Sequence, residues 1–213
     1  MYAEEVIYVL ATSKDINRLD KEFFDKNFTI GINQAYKRAE ECGSQLTMWV
    51  CLDEFFKFYQ WVRQDASHDT IKFVPAKYLA DSRLGALWNG YMDCRIKLFQ
   101  PWDMVGHKKF NCHFNAKGGL ILDEMCYSIF TALSLAVLLG TKKIILRGVS
   151  LKGDYFDSAI FTSRDVYYDD IKRRFKKYAV PALRNMGIDI ENQTYDTELE
   201  IEPQEKEDKP QDF

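Results

Sequence analysis

A chain of 213 residues with 46% hydrophobic and 29% charged side chains has the composition of a globular protein with one full core. The formal net charge of -3 provides no overall basic field for nucleic acid or an anionic membrane surface. Five cysteines form no CxxC pair, which favours a reduced chain over a disulfide framework. The longest apolar run, residues 129–140, is too short to span a bilayer, and the acidic N-terminal stretch is unlike a signal peptide. We therefore expect a soluble, cytoplasmic protein.

The first third of the chain alternates predicted strands with helical patterns. A continuous apolar run at residues 6–11 predicts a strand covered on both faces, as in a parallel sheet, and residues 28–32 and 46–52 predict a second and a third strand. A turn-like segment follows the first run, and helical spacing follows the second and the third. Asn33 and Asp53 stand at the exits of the second and third strands, where residues that cap a helix N-terminus are expected.

The pattern is less regular in the middle and returns near the end. Two further strands are predicted at residues 71–74 and 95–99, with loops or short helices at 76–92 and 100–119. The last third predicts, in order, an apolar helix at 123–139, a strand at 143–146, an amphipathic helix at 165–186 and a short strand at 188–190. This alternation predicts an α/β fold, an open and mostly parallel Rossmann-like sheet flanked by helices.

The predicted elements form a single domain at residues 1–196. Residues 197–213 are acidic and poor in aromatic side chains, which predicts a disordered tail. Open parallel sheets bind ligands beyond the carboxyl ends of their strands, near a switch point in strand order. The residues directly after the predicted strands are therefore the expected ligand contacts: Thr12, Ser13, Asn33, Gln34, Asp53, Gly148, Ser150 and Lys152.

The strand exits also carry a family resemblance. VIYVLATSKDINRLD (residues 6–20) resembles the opening strand and first loop of the bacterial sialyltransferase-like enzymes and the related MptE-like proteins, whose loop is usually Gly-Asn-Gly-Pro-Ser-Leu. TIGINQAY (29–36) and WVCLDEFF (49–56) resemble their second and third strands. YSIFTALSLAVLLGTKKIILRGVSL (127–151) is similar to a later helix and strand of the family. The resemblance runs in order through most of residues 5–192.

This resemblance implies a domain that binds a cytidine nucleotide-sugar, or a nucleoside triphosphate in the pterin pyrophosphokinase branch. In the sugar-transferring branch the reaction is inverting and needs no bound metal. Carried onto this chain, the family's donor contacts fall on Thr12, Ser13, Asn33, Asp53, Ser128 and Gly148.

The chain departs from the family pattern in its first loop and at its expected base. The loop has no glycine, whose positive φ would let backbone approach a phosphate, so hydroxyls and Lys14 must substitute. Ser150 stands where the family commonly has an acid. The family's catalytic histidine falls near Asp165, and no histidine follows His113.

A carboxylate is therefore the expected general base. Asp165 is the first candidate and Asp154 the second, although Asp165 can instead cap a helix. Inverting transfer also needs cations or amides beside the leaving phosphate, and the candidates are Lys152, Arg147 and Arg164.

The resemblance therefore implies a glycosyltransferase that moves a sugar from a nucleotide-sugar to an acceptor hydroxyl. The acceptor is a glycan or a hydroxylated DNA base, and no cofactor, membrane or bound metal is expected. His107, Cys112 and His113 do not complete a zinc site, because no second ligand cluster accompanies them.

Two alternatives stay open at the level of sequence. An MptE-like pyrophosphokinase would transfer pyrophosphate to a pterin-like alcohol with Mg²⁺ held by Asp53, Asp154 and Asp165. A non-catalytic module would bind a nucleotide or a protein partner.

Overall fold

The computed structural model describes residues 5–52, 69–75, 96–101, 113–114, 120–122, 127–152 and 165–202. In that part of the chain, nine strands form one sheet. They are β1 (Val6–Leu10), β2 (Thr29–Ile32), β3 (Met48–Val50), β4 (Ile71–Pro75), β5 (Ile96–Pro101), β6 (His113–Phe114), β7 (Leu120–Leu122), β8 (Lys143–Arg147) and β9 (Asp189–Asn192). The helices are α1 (Lys21–Lys26), α2 (Ala35–Glu41), α3 (Ser128–Leu138), α4 (Asp165–Arg174) and α5 (Val180–Asn185). A 3₁₀ helix (Lys14–Arg18) and a π-helical turn (Phe175–Ala179) complete the description.

The sheet confirms the predicted α/β, Rossmann-like architecture. Its strand order is β6-β7-β5-β4-β3-β2-β1-β8-β9, and every neighbouring pair is parallel except β6 and β7. The chain moves from β1 outward in one direction through β7, then returns to place β8 on the other side of β1. The switch point in strand order therefore lies between β1 and β8.

Both faces of strand β1 are covered, as its continuous apolar run predicts. Ile7 and Val9 of β1 pack into the core beneath α3, α4 and α5 (here the α3 face), whereas Leu10 packs with residues of α1 and α2. This follows from the alternation of side chains along a strand. On the α3 face, the rings of Phe130 and Phe175 lie 4.9 Å apart and are fully buried. Burying each such side chain stabilises the fold by roughly 1.5–3 kcal/mol.

The amphipathic helix predicted at 165–186 is confirmed as one continuous helical segment from α4 through the π-helical turn to α5. Pro181 explains the wider turn. Proline has no N–H to donate, and its ring conflicts with the carbonyl of residue 177 in a regular helix. A π-helical turn directly before Pro181 relieves that conflict.

One short helix and two short strands were not predicted from the sequence. Helix α1 lies between the first two strands, where only a turn was assigned; Asp20 caps it by accepting from the Phe23 N–H (2.8 Å). Strand β6 lies inside residues 100–119, which were predicted as loops or short helices, and β7 follows it. Two or three residues are too few to show a periodicity.

The C-terminal boundary predicted at residue 197 is wrong. Leu199 is fully buried in the core of the α3 face, and its carbonyl accepts from the Asn192 side chain (3.0 Å). The Glu198 N–H donates to the carbonyl of Ser150 (2.9 Å). These contacts extend the packed domain at least to residue 202. The prediction failed because a single buried leucine does not stand out in an acidic segment. Among the helices described, none is long and apolar enough to cross a membrane.

Candidate functional site

Backbone strain concentrates at one edge of the sheet, where the parallel strands end (the carboxyl edge). Within the described ranges, three non-glycine residues have positive φ: Asn33 (47°), Leu151 (57°) and Asp196 (56°). They follow β2, β8 and β9. Left-handed backbone costs an L-residue about 1–2 kcal/mol, and such strain gathers at functional sites. The carboxyl edge is therefore the candidate functional site.

Helix α3 begins at this edge and joins the exits of two strands. The Ser128 hydroxyl donates to Asn33 Oδ1 (3.4 Å), and its oxygen accepts from the Leu52 N–H (3.2 Å). The Asn33 carbonyl in turn accepts from the indole N–H of the buried Trp49 (2.7 Å). Two predicted donor contacts, Asn33 and Ser128, are thus brought together.

The prediction that Asn33 caps α2 is wrong. Gln34 occupies the N-cap position, and its side chain makes no capping bond. Asn33 instead adopts the left-handed conformation, which asparagine tolerates better than most residues. The tight turn from β2 into α2 directs the Asn33 side chain toward Ser128, and this explains why the capping role is lost.

Ser13 lies beyond the end of β1, next to β8. The N–H groups of Ala11 and Ser13 donate to the carbonyls of Arg147 (2.8 Å) and Gly148 (3.0 Å). The side chain of Ala11 packs against the core beneath α3. Ser13 is 6% exposed, and its hydroxyl has no hydrogen-bond partner in the part of the chain that is described. Thr12, also buried, is its neighbour.

A second buried hydroxyl belongs to Thr131, one turn into α3. Among the residues with described side chains it too has no partner. An unpaired buried hydroxyl is costly, commonly by about 1–3 kcal/mol in proteins. Thr131 is not among the predicted site residues, although a hydroxyl inside the apolar run of residues 129–140 was a usable signal.

We expect Thr131→Val to raise the free energy of unfolding by about 1–2 kcal/mol, because valine keeps the shape and removes the unpaired hydroxyl. Urea denaturation measures this change. Thr29→Val is the matched control: Thr29 is equally buried, but its oxygen accepts from the Thr47 N–H (3.1 Å), so its loss should destabilise the fold. Destabilisation by both substitutions would show that the Thr131 hydroxyl does have a partner.

The crevice between β1 and β8, where a switch point usually admits ligand, is filled by the chain itself. Gly148 has φ 72°, and a Cβ there would lie 2.9 Å from the carbonyl oxygen of Ala11 and 2.5 Å from Ile16 Cγ2. The buried Asp15 carboxylate accepts from Arg147 Nε (3.2 Å). A ligand at the carboxyl edge would therefore not enter between β1 and β8.

Two of the predicted phosphate-binding cations already have carboxylate partners. Arg147 pairs with Asp15, and the Lys152 ammonium pairs with Asp196. Lys14, directly after Ser13, is exposed and makes no ion pair with any described residue. Among the described cations near Ser13, Lys14 is therefore the best placed to meet an anionic ligand.

Ser150 lies beneath the C-terminal segment. It is 3% exposed, its carbonyl accepts from the Glu198 N–H, and its hydroxyl accepts from the Lys152 N–H (3.4 Å). The backbone around it is fixed by Thr194, whose hydroxyl accepts from the Val149 N–H (2.9 Å). Ser150 and Lys152 therefore form a second group, separate from Asn33 and Ser128.

Several predicted site residues lie outside the described residues: Asp53, Asp154, Arg164, His107 and Cys112. Asp165 is the first residue of α4, but its side chain, like that of His113, is not described. In the described part of the chain, no group of three or more His, Cys, Asp or Glu side chains could hold a metal ion.

Asp170 of α4 links that helix to the start of α3. Partial burial raises the pKa of this carboxyl, but hydrogen bonds from Arg174 (2.6 Å), Arg173 and the Tyr127 hydroxyl (3.2 Å) outweigh it and hold the pKa below its usual value. A lowered pKa means that the folded state favours the charged carboxylate.

We expect Asp170→Asn to destabilise the protein near pH 7 by roughly 1–3 kcal/mol, the range for hydrogen bonds to a charged group. Because the folded pKa is lowered, this stabilisation is present above about pH 4 and is lost as pH falls through the folded pKa. Chemical denaturation from pH 7 to pH 2.5 should show the difference from the parent protein shrinking. Asp169→Asn, on a side chain that is 82% exposed, is the control, and an equal pH-dependent loss there would contradict the assignment.

An open groove of about 600 Å³ lies elsewhere, near the end of α2. Its polar side chains bond to one another: Asp25 accepts from Lys21 and Ser44, both at 2.6 Å, and these bonds lower the pKa of Asp25. Because its polar groups are mutually satisfied, this groove is a weaker candidate than the carboxyl edge.

No family model, curated protein or solved structure matches this chain. The resemblance to the sialyltransferase-like proteins therefore rests on the motifs of the sequence, and the activity is a proposal.

Proposed function

We propose that the protein is a glycosyltransferase that moves a sugar from a nucleotide-sugar to an acceptor hydroxyl, with inversion and without a bound metal. The observation that carries this proposal is the buried Ser13 hydroxyl, which has no hydrogen-bond partner among the described residues and lies beyond the end of β1, at the carboxyl edge where the 11-residue helix α3 also begins. The N-terminus of a helix attracts anions through its free N–H groups and its dipole. A donor phosphate is the ligand that these groups suit.

The described residues support a donor site beside α3. Ser13 would donate its hydroxyl to a phosphate oxygen, and Lys14 would supply the positive charge. The left-handed turn at Asn33 and its bond to Ser128 hold the exit of β2 against α3. This pre-set geometry lowers the cost of ordering the site when the donor binds.

In the proposed reaction, a base takes the proton of the acceptor hydroxyl as its oxygen bonds to the anomeric carbon. The bond from that carbon to the donor phosphate breaks, and the electron pair leaves with the nucleotide. Lys14 and the α3 N-terminus would stabilise this charge. Asp165 remains the proposed base, with Asp154 as the second candidate.

A thermal-shift screen with cytidine, uridine, guanosine and adenosine nucleotides and their sugar conjugates, with and without Mg²⁺, tests the proposal. A ligand at 100 times its Kd stabilises by about 2.7 kcal/mol, a shift of roughly 5–10 °C for a domain of this size. A metal-independent shift with one nucleotide-sugar supports sugar transfer. A shift that needs a triphosphate and Mg²⁺ favours pyrophosphoryl transfer, and no shift with any nucleotide favours a non-catalytic role.

We expect Lys14→Gln to weaken nucleotide binding about fivefold, the value of an exposed ion pair worth roughly 1 kcal/mol. The loss should fade as salt is raised, because salt screens the lost attraction. Lys21→Gln has the same charge change at a site where Lys21 already pairs with Asp25, and it should leave affinity unchanged. Isothermal titration with the best nucleotide from the screen measures both. Equal affinities for the two variants would remove Lys14 from the site.

A further inference from the structure

Tyr195 presents an exposed aromatic ring near the carboxyl edge. Its side chain and that of Met186 are the large hydrophobic groups exposed among the described residues, and Tyr195 is 66% exposed. The guanidinium carbon of Arg18 lies 3.9 Å from the centre of the ring, a cation–π contact. Arg18 therefore covers one face of the ring.

The backbone on either side of Tyr195 is held firmly. Its N–H donates to Asp15 Oδ1 (3.2 Å), and the other oxygen of that buried carboxylate bonds to Arg147. The next residue, Asp196, is in the left-handed conformation and pairs with Lys152. Fixing the ring in advance removes most of the entropy cost that an exposed side chain would pay on binding.

The ring also lies near the proposed donor contacts in the fold. Arg18 ends the 3₁₀ helix that begins at Lys14, directly after Ser13. Asp15, which binds the Tyr195 backbone, belongs to the same short helix. Tyr195 thus stands beside the loop that follows β1 and carries Ser13 and Lys14.

We infer that Tyr195 is a stacking platform for the sugar ring of the acceptor. This inference rests on the proposed function and extends it to the acceptor. A saccharide offers an apolar C–H face to an aromatic ring and a rim of hydroxyls to polar groups. The Arg18 guanidinium lies against the ring, and the next residue, Asp196, pairs with Lys152, so acceptors and donors for those hydroxyls are supplied by Tyr195 and its chain neighbour.

Saturation-transfer NMR on the full chain tests the inference with methyl glycosides of glucose, galactose and N-acetylglucosamine, and with lactose. We expect at least one of these probes to bind in the millimolar range through its C–H face, and Tyr195→Ala to weaken it about tenfold, or 1.4 kcal/mol. Tyr195→Phe keeps the ring and should keep the affinity. Met186→Ala removes the other exposed apolar side chain and should also keep it.

Two outcomes would overturn the inference: unchanged affinity in Tyr195→Ala, or no binding of any glycoside to the parent protein. The nucleotide screen separates this failure from failure of the proposed function. If the parent protein binds a nucleotide-sugar but no glycoside, only the role of Tyr195 as an acceptor platform is rejected. If it binds no nucleotide, the proposed function is rejected as well. Because Tyr195 is exposed, Tyr195→Ala should have the same thermal midpoint as the parent protein. An unchanged midpoint would show that weaker glycoside binding by this variant is not caused by unfolding.

Discussion

Replacing Leu199 by alanine is expected to lower the free energy of unfolding by about 2–5 kcal/mol. Leu199 is fully buried in the core of the α3 face, although it lies in a segment whose composition predicts disorder. Removing three carbons from a filled site loses their transfer free energy and leaves a cavity. Urea denaturation followed by far-ultraviolet circular dichroism measures the change.

Glu200→Ala is the matched control, because it is the next residue in the chain and is exposed. It should change stability by less than about 0.5 kcal/mol. A small effect from both substitutions would mean that the segment after Thr197 is not part of the folded core. The domain boundary predicted at residue 197 would then be correct.

Gly148→Ala is expected to destabilise the protein more than a left-handed backbone alone explains. At φ 72° an alanine costs about 1–2 kcal/mol. Its Cβ would also press against the Ala11 carbonyl oxygen at 2.9 Å, a backbone atom that cannot turn aside. Crowding of this kind adds about 1–3 kcal/mol, so the total should reach roughly 2–5 kcal/mol.

Gly43→Ala and Gly187→Ala separate the two contributions. Both glycines have similar positive φ values, 68° and 75°, but a Cβ at either meets no atom within 4 Å. Their loss of stability should therefore report the backbone strain alone. If Gly148→Ala costs no more than these controls, the exits of β1 and β8 are not in close contact, and the crevice between them is open to ligand.

The long helices and strands are predicted well from the sequence because their burial requires a recognisable pattern of apolar residues. Strand β1 coincides with a continuous apolar run, β4 and β8 begin where strands are predicted, and the helix from α4 to α5 shows its period over twenty residues. Strands β6 and β7 are too short for any period, and α1 was missed although Asp20 marks its start. These errors come from element length, since a pattern needs several residues to repeat.

The site is harder to predict, because its features depend on contacts between distant residues. The sequence does point to strand exits, and Asn33 and Ser128 do meet there. It cannot show that Asp15 engages Arg147, or that Asp196 engages Lys152, because these partners lie far apart in the chain. Nor can it show that the Ser13 hydroxyl is left without a partner in the described part of the chain.

The bond between Asp15 and Tyr195 has a consequence for how the protein is made. The two residues are separated by 180 positions, so the contacts of the loop after the first strand are complete only when Tyr195 has been synthesised. At 5–20 residues per second, a ribosome needs about 10–40 s to supply them. Until then the nascent chain lacks some of the contacts that hold its carboxyl edge. Contacts between residues so far apart in the chain also slow folding.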